Sequence, residues 1–217
     1  EVVIFIVFNY ILFLLYKFWV EHILFNYMIM PKMQLVRFSD IKKKFGIGVT
    51  AVSDTENEQF INECAQFSSQ GCRVISAYGA QIFPPRLVAR VKEFWNVHGS
   101  WLPYFRGAAP YFWMMLVDDA PRGVTIHRVD SQLDAGDILK QETVVPKSDE
   151  SLFIYHIRCI VGAVHLLCVL LHEGVEGNEE DIVASDNVSI SSVYGLPKPR
   201  DMHVFLKKGK RLFALED

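Results

Sequence analysis

Apolar residues are grouped along much of the chain in short runs with the length and composition of buried β-strands. The run at 123–129 alternates apolar and polar residues, which is typical of a strand with one buried face, and the run at 137–146 is expected to end at Pro146. The pattern predicts strands at 49–53, 72–80, 95–98, 123–129 and 137–146.

Segments with helical spacing separate these runs. The first helix is expected to begin after an N-cap at Asp54 or Thr55, and the longest is expected to begin at Leu152. Helices are predicted at 56–69, 84–91, 111–117, 152–172 and 200–207. Because strands alternate with helices, the chain is predicted to fold as an α/β sheet with helices on both faces.

The N-terminal segment has a different composition, since residues 2–20 are almost entirely apolar. Its β-branched and aromatic start favours a strand followed by an apolar helix, but its length is also near the minimum for a membrane span. Residues 9–29 carry large apolar side chains on nearly every helical face. We therefore expect residues 9–29 to need a partner surface, which is the protein's own core, a second subunit or a membrane.

Composition narrows the class of protein. The 217 residues divide by pattern into an apolar N-terminal part at 1–45, a core at 46–172 and a C-terminal tail at 173–217. The chain has a net charge of −3 and so lacks the excess of basic residues that is typical of nucleic-acid-binding proteins. The four cysteines form no CxxC pair and lie among apolar residues, so we expect reduced cysteines, a cytoplasmic location and no metal site.

The first candidate for chemistry is the stretch NVHGSWLPYFRGAAP at 96–110. If Asn96 and His98 end a strand, their side chains point to the same face, and ligands of open α/β sheets bind near the carboxyl ends of strands. An amide N–H and an imidazole together suit a carbonyl oxygen that develops negative charge. The turn-forming residues that follow are expected to keep this pair rigid.

The second candidate is GVTIHRVDSQLDAGDIL at 123–139, which is typical of a strand, a tight turn and a second strand. A carboxylate in that turn can orient His98 and accept a proton from a water or an amine. Asp134 is expected to project outward from the turn, but Asp130 and Asp137 are competing carboxylates. Spacing alone leaves the choice among the three open.

The two motifs together resemble the 10-formyltetrahydrofolate-dependent formyltransferases, which include glycinamide ribonucleotide, methionyl-tRNA and amino-sugar formyltransferases. The resemblance covers roughly residues 72–172 and includes the Asn-x-His motif, the loop 100–103, Arg106–Gly107 and the L-D-x-G turn, in that order. Trp101 stands where the family usually has leucine. The resemblance implies a formyltransferase-type, Rossmann-like and mostly parallel sheet, and an enzyme that transfers a formyl group from 10-formyltetrahydrofolate to a primary amine.

The resemblance also implies roles for individual residues. It makes Asn96, His98 and Asp134 the catalytic trio, and so selects Asp134 among the three aspartates. Asn96 would hold the formyl oxygen, His98 would stabilise or protonate the oxyanion, and Asp134 would hold His98 and help to remove the amine proton through water. No metal is expected to take part.

Two loops are implied to bind the folate, mainly through their backbones. The residues concerned are Tyr78, Gly79, Ala80, Gln81 and Ile82 in the first loop, and Val129, Asp130 and Leu133 in the second. Acceptor-binding candidates are Ser100, Arg106, Gly107 and Arg128. The two arginines match the geometry of a sugar-nucleotide phosphate.

The expected acceptor is a small amine, above all the amino group of a nucleotide-linked sugar. About 45 residues follow the core, too few for the further basic domain of relatives that act on tRNA, and the net charge is negative. Two alternatives stay open: a methionyl-tRNA formyltransferase-like enzyme, and a truncated non-catalytic relative that acts as a membrane-associated binding protein. The second alternative arises because residues 2–8 resemble the family's second strand, which would leave the first strand missing.

Overall fold

The computed structural model describes residues 2–5, 54–77, 82–173 and 193–214, with backbone alone at 2–5. The strands are β1 (Val2–Phe5), β2 (Arg73–Ala77), β3 (Phe94–His98), β4 (Arg106–Gly107), β5 (Gly123–Arg128), β6 (Ile138–Thr143) and β7 (Val193–Tyr194). The helices are α1 (Glu58–Ser69), α2 (Pro85–Val88), α3 (Pro110–Leu116), α4 (Leu152–Glu173) and α5 (Pro199–Lys207). The strand predicted at 49–53 and the apolar segment 9–29 lie outside the described residues.

The main sheet has five described strands in the order β1-β2-β3-β5-β6. The pairs β1–β2 and β2–β3 are parallel, whereas β3–β5 and β5–β6 are antiparallel. Only β5 therefore runs against the other described strands of this sheet, which confirms a mostly parallel α/β sheet. A separate two-stranded parallel sheet joins β4 to β7.

Helices cover both faces of the main sheet, as predicted. Successive strand residues point to opposite faces, so Val74 and Phe94 pack in one apolar cluster with α1 and α2. Ile75 and Trp95, one residue further along each strand, pack in a second cluster with α3 and α4. Asn96 and His98 differ from Phe94 by two and four positions, so their side chains lie on the face that carries α1 and α2.

The start of α1 corrects one expectation from the sequence. Its N-cap is Asn57, whose side-chain oxygen accepts a hydrogen bond from the N–H of Phe60 at 3.0 Å. Asp54 instead closes a turn before the helix by accepting from the N–H of Glu56 at 2.9 Å. Thr55 is buried and donates its hydroxyl to the carbonyl oxygen of Ile82 at 3.4 Å. Asp, Thr and Asn side chains all favour the N-cap position, so the sequence did not show which of Asp54, Thr55 and Asn57 caps the helix.

Helix α4 packs along β5 and β6. Among the described residues it is the one helix long and apolar enough to cross a membrane, with a mean hydropathy of 2.0. It buries a continuous stripe in the core: Tyr155, Cys159, Gly162, Ala163, Leu166 and Leu170. The Tyr155 hydroxyl donates to the carbonyl oxygen of Val144 at 2.8 Å, which satisfies its one buried polar atom. These contacts make α4 the central helix of the fold.

The C-terminal residues pack on the same core. Phe205 of α5 is fully buried, and its ring lies 4.8 Å from that of Phe112. The N–H of Leu152 at the start of α4 donates to the carbonyl oxygen of Arg211 at 2.8 Å. Residues 193–214 are therefore joined to the core by both side-chain packing and backbone hydrogen bonds.

Candidate active site

Asn96 and His98 lie within the last three residues of β3, and their side chains share one face, as the strand period predicts. The antiparallel register with β5 places Asn96 opposite His127 and His98 opposite Thr125. Directly opposed residues of an antiparallel pair lie within contact distance on the same face. The register therefore adds His127 and Thr125 to the two residues that the sequence motif identified.

His127 fixes the amide of Asn96. The Nδ1 atom of His127 lies 2.8 Å from the carbonyl oxygen of Arg128, and since a carbonyl only accepts, Nδ1 carries the proton. In the neutral ring Nε2 is then an acceptor, and it lies 3.1 Å from Nδ2 of Asn96. Asn96 thus donates one N–H to His127 and keeps the second amide N–H for another acceptor.

Burial keeps His127 in that neutral form. Desolvation of its ring, and secondarily the neighbouring His98, lower the pKa of His127 to about 4, although Asp134 acts in the opposite direction. The acceptor role of Nε2 is therefore maintained at neutral pH.

Asp134 reaches both histidines from the loop between β5 and β6. Its Oδ1 atom lies 3.6 Å from Nδ1 of His98 and 3.8 Å from Nε2 of His127. Its Oδ2 atom accepts a hydrogen bond from the N–H of Gly107 at 2.8 Å. The side chain is only 9% exposed, so it turns inward, whereas the sequence predicted that it would project outward. The carboxylate is thus held on one oxygen and presents the other to the histidine pair.

The loop brings Asp134 to this position by folding back over the sheet. It begins near the amino-terminal end of β3, where the N–H of Val129 donates to the carbonyl oxygen of Phe94 at 2.8 Å. Its base is closed by the N–H of Arg128, which donates to the carbonyl oxygen of Asp137 at 2.8 Å. A Cβ at Gly136 would overlap the carbonyl oxygen of Arg128, so only glycine fits this closure. The aspartate itself has a φ of +48°, a left-handed conformation that aspartate tolerates better than most residues.

The geometry distinguishes the three aspartates of this loop. Asp130 is exposed, and its carboxylate accepts from the N–H of Gln132 at 2.8 Å within a local turn. Asp137 is also exposed. Asp134 alone of the three faces the two histidines, which agrees with the choice that the family resemblance made.

Buried hydrogen bonds hold the loop that follows His98. The Nε2 atom of His98 lies 3.2 Å from the carbonyl oxygen of Phe105, and the hydroxyl of Ser100 donates to the same oxygen at 3.1 Å. Thr125 donates its hydroxyl to the carbonyl oxygen of Ser100 at 2.7 Å and accepts from the N–H of Leu102 at 3.0 Å. Ser100 is fully buried, so its hydroxyl holds the loop, whereas the sequence suggested that it binds the acceptor.

The two arginines proposed for phosphate binding have partners within the chain. Arg106 donates from Nε to the carbonyl oxygen of Leu133 at 2.7 Å, which ties β4 to the loop of Asp134. Arg128 forms a 2.7 Å ion pair with Glu93. Gly107, the fourth acceptor-binding candidate, uses its N–H to hold Asp134. Acceptor binding by these residues stays a prediction.

The loops expected to bind folate are described only in part. Residues 78–81 lie outside the described residues, and Ile82 at the end of that loop is 75% exposed. In the second loop the N–H of Val129 is bonded to β3, and Leu133 is 39% exposed. Each loop thus offers an exposed apolar side chain, and folate binding by the two loops stays a prediction.

Within the described ranges, no group of three histidine, cysteine, aspartate or glutamate side chains is arranged to hold a metal ion. The site described above brings together an amide donor, an imidazole and a carboxylate. These three groups are the ones that stabilise an oxyanion and move a proton.

Sequence reasoning missed His127 as a member of this site. The signal was present in the alternation of GVTIHRV, since His127 and Thr125 are two residues apart and share a face of β5. What the sequence did not contain was the register of β5 against β3. That register depends on packing between segments about thirty residues apart.

Comparison with known proteins finds formyltransferases among the relatives of this chain. The curated relatives include the methionyl-tRNA formyltransferase of Desulfotalea psychrophila, 33% identical over 111 residues that make up 51% of this chain and 34% of that protein. The methionyl-tRNA formyltransferase of Ligilactobacillus salivarius is 34% identical over 136 residues, or 62% of this chain and 42% of that protein. The chain thus spans less than half the length of these curated relatives.

A solved structure resembles the chain over most of its length. It is the formyltransferase PseJ from Anoxybacillus kamchatkensis, crystallised in complex with UDP-4,6-dideoxy-4-formamido-L-AltNAc and tetrahydrofolate. The two are 26% identical with a TM-score of 0.59, and the match covers 82% of this chain and 89% of that chain. The formyl transferase family model matches residues 36–155, which is more than half of the 217 residues. The chain therefore belongs to the formyl transferase family.

Proposed function

We propose that the protein transfers a formyl group from 10-formyltetrahydrofolate to a primary amine. The observation that carries this proposal is the convergence of Asn96, His98 and Asp134 on one face of the sheet, with Asp134 3.6 Å from His98. Bound 10-formyltetrahydrofolate would supply a formyl group on a nitrogen leaving group. The remaining chemistry belongs to the side chains of this chain.

Asn96 is suited to hold the formyl oxygen. One of its amide hydrogens is donated to His127 at 3.1 Å, and this bond fixes the plane of the amide. The other N–H can donate to an oxygen that gains negative charge as the amine attacks the carbonyl carbon. A donor whose direction is already fixed stabilises that charge without reorganising, which is the main benefit of a preformed oxyanion site.

His98 and Asp134 are suited to manage protons and charge. The imidazole of His98, which lies 3.6 Å from the carboxylate of Asp134, can stabilise or protonate the developing oxyanion. Asp134 can accept the proton of the attacking amine through a water, because its Oδ1 faces the histidine pair and is not bonded to the N–H of Gly107. The N–H of Gly107 holds the second carboxylate oxygen, so the acceptor oxygen stays in place.

For the acceptor we propose the amino group of a nucleotide-linked sugar. The proposal is supported by the structural likeness to the relative crystallised with a UDP-linked formamido sugar, which is 26% identical with a TM-score of 0.59. The net charge of the chain is −3, whereas binding a tRNA backbone calls for an excess of lysine and arginine. A cytoplasmic enzyme fits both substrates, since folates and nucleotide sugars are small and water-soluble.

Methionyl-tRNA is the second candidate acceptor. Sequence identity favours it, because the curated relatives at 33% and 34% identity are methionyl-tRNA formyltransferases. The trio of Asn96, His98 and Asp134 serves either acceptor equally, since both present a primary amine. The choice therefore rests on binding outside the trio.

The test is a competition assay with 10-formyltetrahydrofolate as donor. A panel of 4-amino and 3-amino nucleotide sugars is compared with initiator methionyl-tRNA while the release of tetrahydrofolate is followed by absorbance. We expect acceptor-dependent release with an amino sugar, at a rate at least about 100-fold lower with the Asp134→Asn variant. Formylation of the tRNA alone, retained at moderate salt, would contradict the sugar assignment. No release with any acceptor would contradict formyl transfer itself and favour a non-catalytic binding protein.

The same protein preparation addresses the expectation that residues 9–29 contact a membrane or a second subunit, which we keep as a proposal. Sedimentation with liposomes and size-exclusion chromatography separate these outcomes. A monomer that stays in solution without detergent and does not sediment with liposomes would contradict both.

A further inference from the structure

We infer that strand β7 near the C-terminus positions the carboxylate of Asp134 through the backbone of Gly107. This inference deepens the proposed function and rests on it, because the role assigned to Asp134 is that of the proposed reaction. Strand β7 lies beyond residue 155, where the match to the family model ends.

Gly107 stands between the carboxylate and β7. Its N–H donates to Oδ2 of Asp134 at 2.8 Å, while its register partner in the two-stranded sheet is Tyr194. The next N–H, that of Ala108, donates to the carbonyl oxygen of Tyr194 at 2.8 Å. The direction of the Gly107 N–H is therefore set by β7, whose last residue, Tyr194, pairs with Gly107.

The two backbones approach so closely that only glycine fits. Gly107 has a φ of +95°, and a Cβ on it would overlap the carbonyl oxygen of Tyr194. Such a close approach leaves little freedom for the peptide unit that carries the N–H. Gly107 thus contacts β7 and the carboxylate of Asp134 at once, so a shift of β7 would displace the carboxylate.

The ring of Tyr194 packs against Phe105, two residues before Gly107. It stacks on Phe105 with ring centroids 5.7 Å apart, and it lies 4.8 Å from the ring of Trp113. The carbonyl oxygen of Phe105 is the one that contacts Nε2 of His98 at 3.2 Å. One residue of β7 thus supports the partners of both Asp134 and His98.

The strand is in turn fastened on its C-terminal side. The indole N–H of Trp113 donates to the carbonyl oxygen of Gly195 at 3.0 Å. Helix α5 follows, and its Phe205 is fully buried in the core. The ammonium group of Lys208 donates to the carbonyl oxygen of Leu116 at 3.0 Å. These bonds allow β7 to act as a fixed support.

The test uses the full chain with the variant Tyr194→Ala, which removes the ring from both Phe105 and Trp113. Tyr194→Phe keeps the ring, and Leu196→Ala is a matched control on the same segment, because Leu196 is 62% exposed. Amide hydrogen exchange of Gly107, measured by NMR, reports directly on the bond to Asp134. Asp134→Asn, which weakens the acceptor, gives the exchange rate expected when that bond is impaired.

We expect Tyr194→Ala to raise the exchange rate of the Gly107 amide at least tenfold toward the Asp134→Asn value, while the amides of β3 exchange as in the wild type. In the formyl transfer assay, kcat should fall roughly 10- to 100-fold with KM changed less than about twofold, because geometry rather than binding is lost. Tyr194→Phe should restore both readouts. A merely structural role would instead raise the exchange of all core amides together.

The inference is overturned if the Gly107 amide exchanges in Tyr194→Ala as it does in Leu196→Ala. If Tyr194→Ala does not fold, Trp113→Phe replaces it, since this variant removes the donor to Gly195 and keeps an aromatic ring beside Tyr194. It must then accelerate the exchange of Gly107 selectively. Absence of any formyl transfer by the wild type would refute the proposed function, while the exchange measurement would still decide whether β7 holds Asp134.

Discussion

The site has two halves that are built in different ways. The strand-borne half comprises Asn96 and His98 on β3 with His127 on β5, and its geometry follows from strand period and register. The loop-borne half is Asp134, whose position depends on Gly107, 27 residues away, and on Arg106 bound to Leu133. The first half is part of the sheet, whereas the second is placed against it by separate contacts.

This difference implies different costs of mutation. In the strand-borne half His98 and His127 are buried and Asn96 is half-buried, so changes there affect both chemistry and folding. The loop-borne half is tied by a few hydrogen bonds at the surface of the core. Its disturbance should lower kcat more than it lowers the free energy of unfolding.

The largest expected effect is loss of the trio itself. Asn96→Ala, His98→Ala and Asp134→Asn should each lower kcat by roughly 10²- to 10⁴-fold, or about 3–5 kcal/mol of activation free energy, as is usual for oxyanion donors and proton-transfer groups. Steady-state formyl transfer with the preferred acceptor measures this directly. Thermal unfolding should show that Asp134→Asn is the least destabilised of the three.

Asp130→Asn and Asp137→Asn are the matched controls, because both side chains are exposed. Each should retain kcat within about threefold of the wild type. If Asp137→Asn were as damaging as Asp134→Asn, the register of the loop would be wrong.

The sequence predicted the strand-borne half better than the loop-borne half. Alternation predicted that Asn96 and His98 share one face, and their positions in β3 agree with that. The choice of Asp134 came from family resemblance, because nothing local shows that the loop folds back to His98. The inward turn of its carboxylate depends on Gly107, and the role of Gly107 depends on β7, which the sequence showed only as part of an irregular tail.

The second prediction concerns acid stability and tests the buried ring of His127, which belongs to the strand-borne half. Its pKa is lowered to about 4 from an ordinary value of 6.5, mainly by desolvation. The unfolded chain therefore binds this proton between pH 6.5 and 4 while the folded chain does not, so the free energy of unfolding falls as the pH is lowered through that range. The loss amounts to at most about 3 kcal/mol by pH 4.

Urea unfolding at pH 7, 5.5 and 4.5 measures this loss. His127→Gln should reduce it, because a glutamine amide oxygen still accepts from Asn96 but does not titrate. His156→Gln should act in the same direction, since burial lowers the pKa of His156 to about 4 as well. His203→Gln is the control on an exposed side chain. Identical pH dependence in wild type and His127→Gln would contradict the neutral, buried state of His127.

A smaller effect is expected from Arg106, which ties the loop of Asp134 to β4. Arg106→Ala removes the hydrogen bond from Nε to the carbonyl oxygen of Leu133. We expect kcat to fall about tenfold, equivalent to about 1.4 kcal/mol, because the loop gains freedom while the strand-borne half stays in place. Arg106→Lys should recover only part of this, since one ammonium does not reproduce the planar donor group. Unchanged kcat in Arg106→Ala would show that Gly107 alone suffices to hold the carboxylate.

The smallest expected effect is that of Arg128→Ala, and it tests an expectation that the sequence raised for both arginines. Arg128 pairs with Glu93 at 2.7 Å, and its side chain is 32% exposed, so the pair contributes less than about 1 kcal/mol to folding. Nothing in this pair holds Asp134 or the histidines, so kcat should stay within about twofold of the wild type. KM for the amino-sugar nucleotide is the informative quantity, because an arginine that binds a phosphate contributes to acceptor binding rather than to the chemical step. We expect KM to change less than about twofold, as for Glu93→Gln, which frees the guanidinium without removing it. A KM that rises fivefold or more in Arg128→Ala, but not in Glu93→Gln, would instead show that Arg128 leaves Glu93 to bind the acceptor phosphate and would extend the site beyond its two halves.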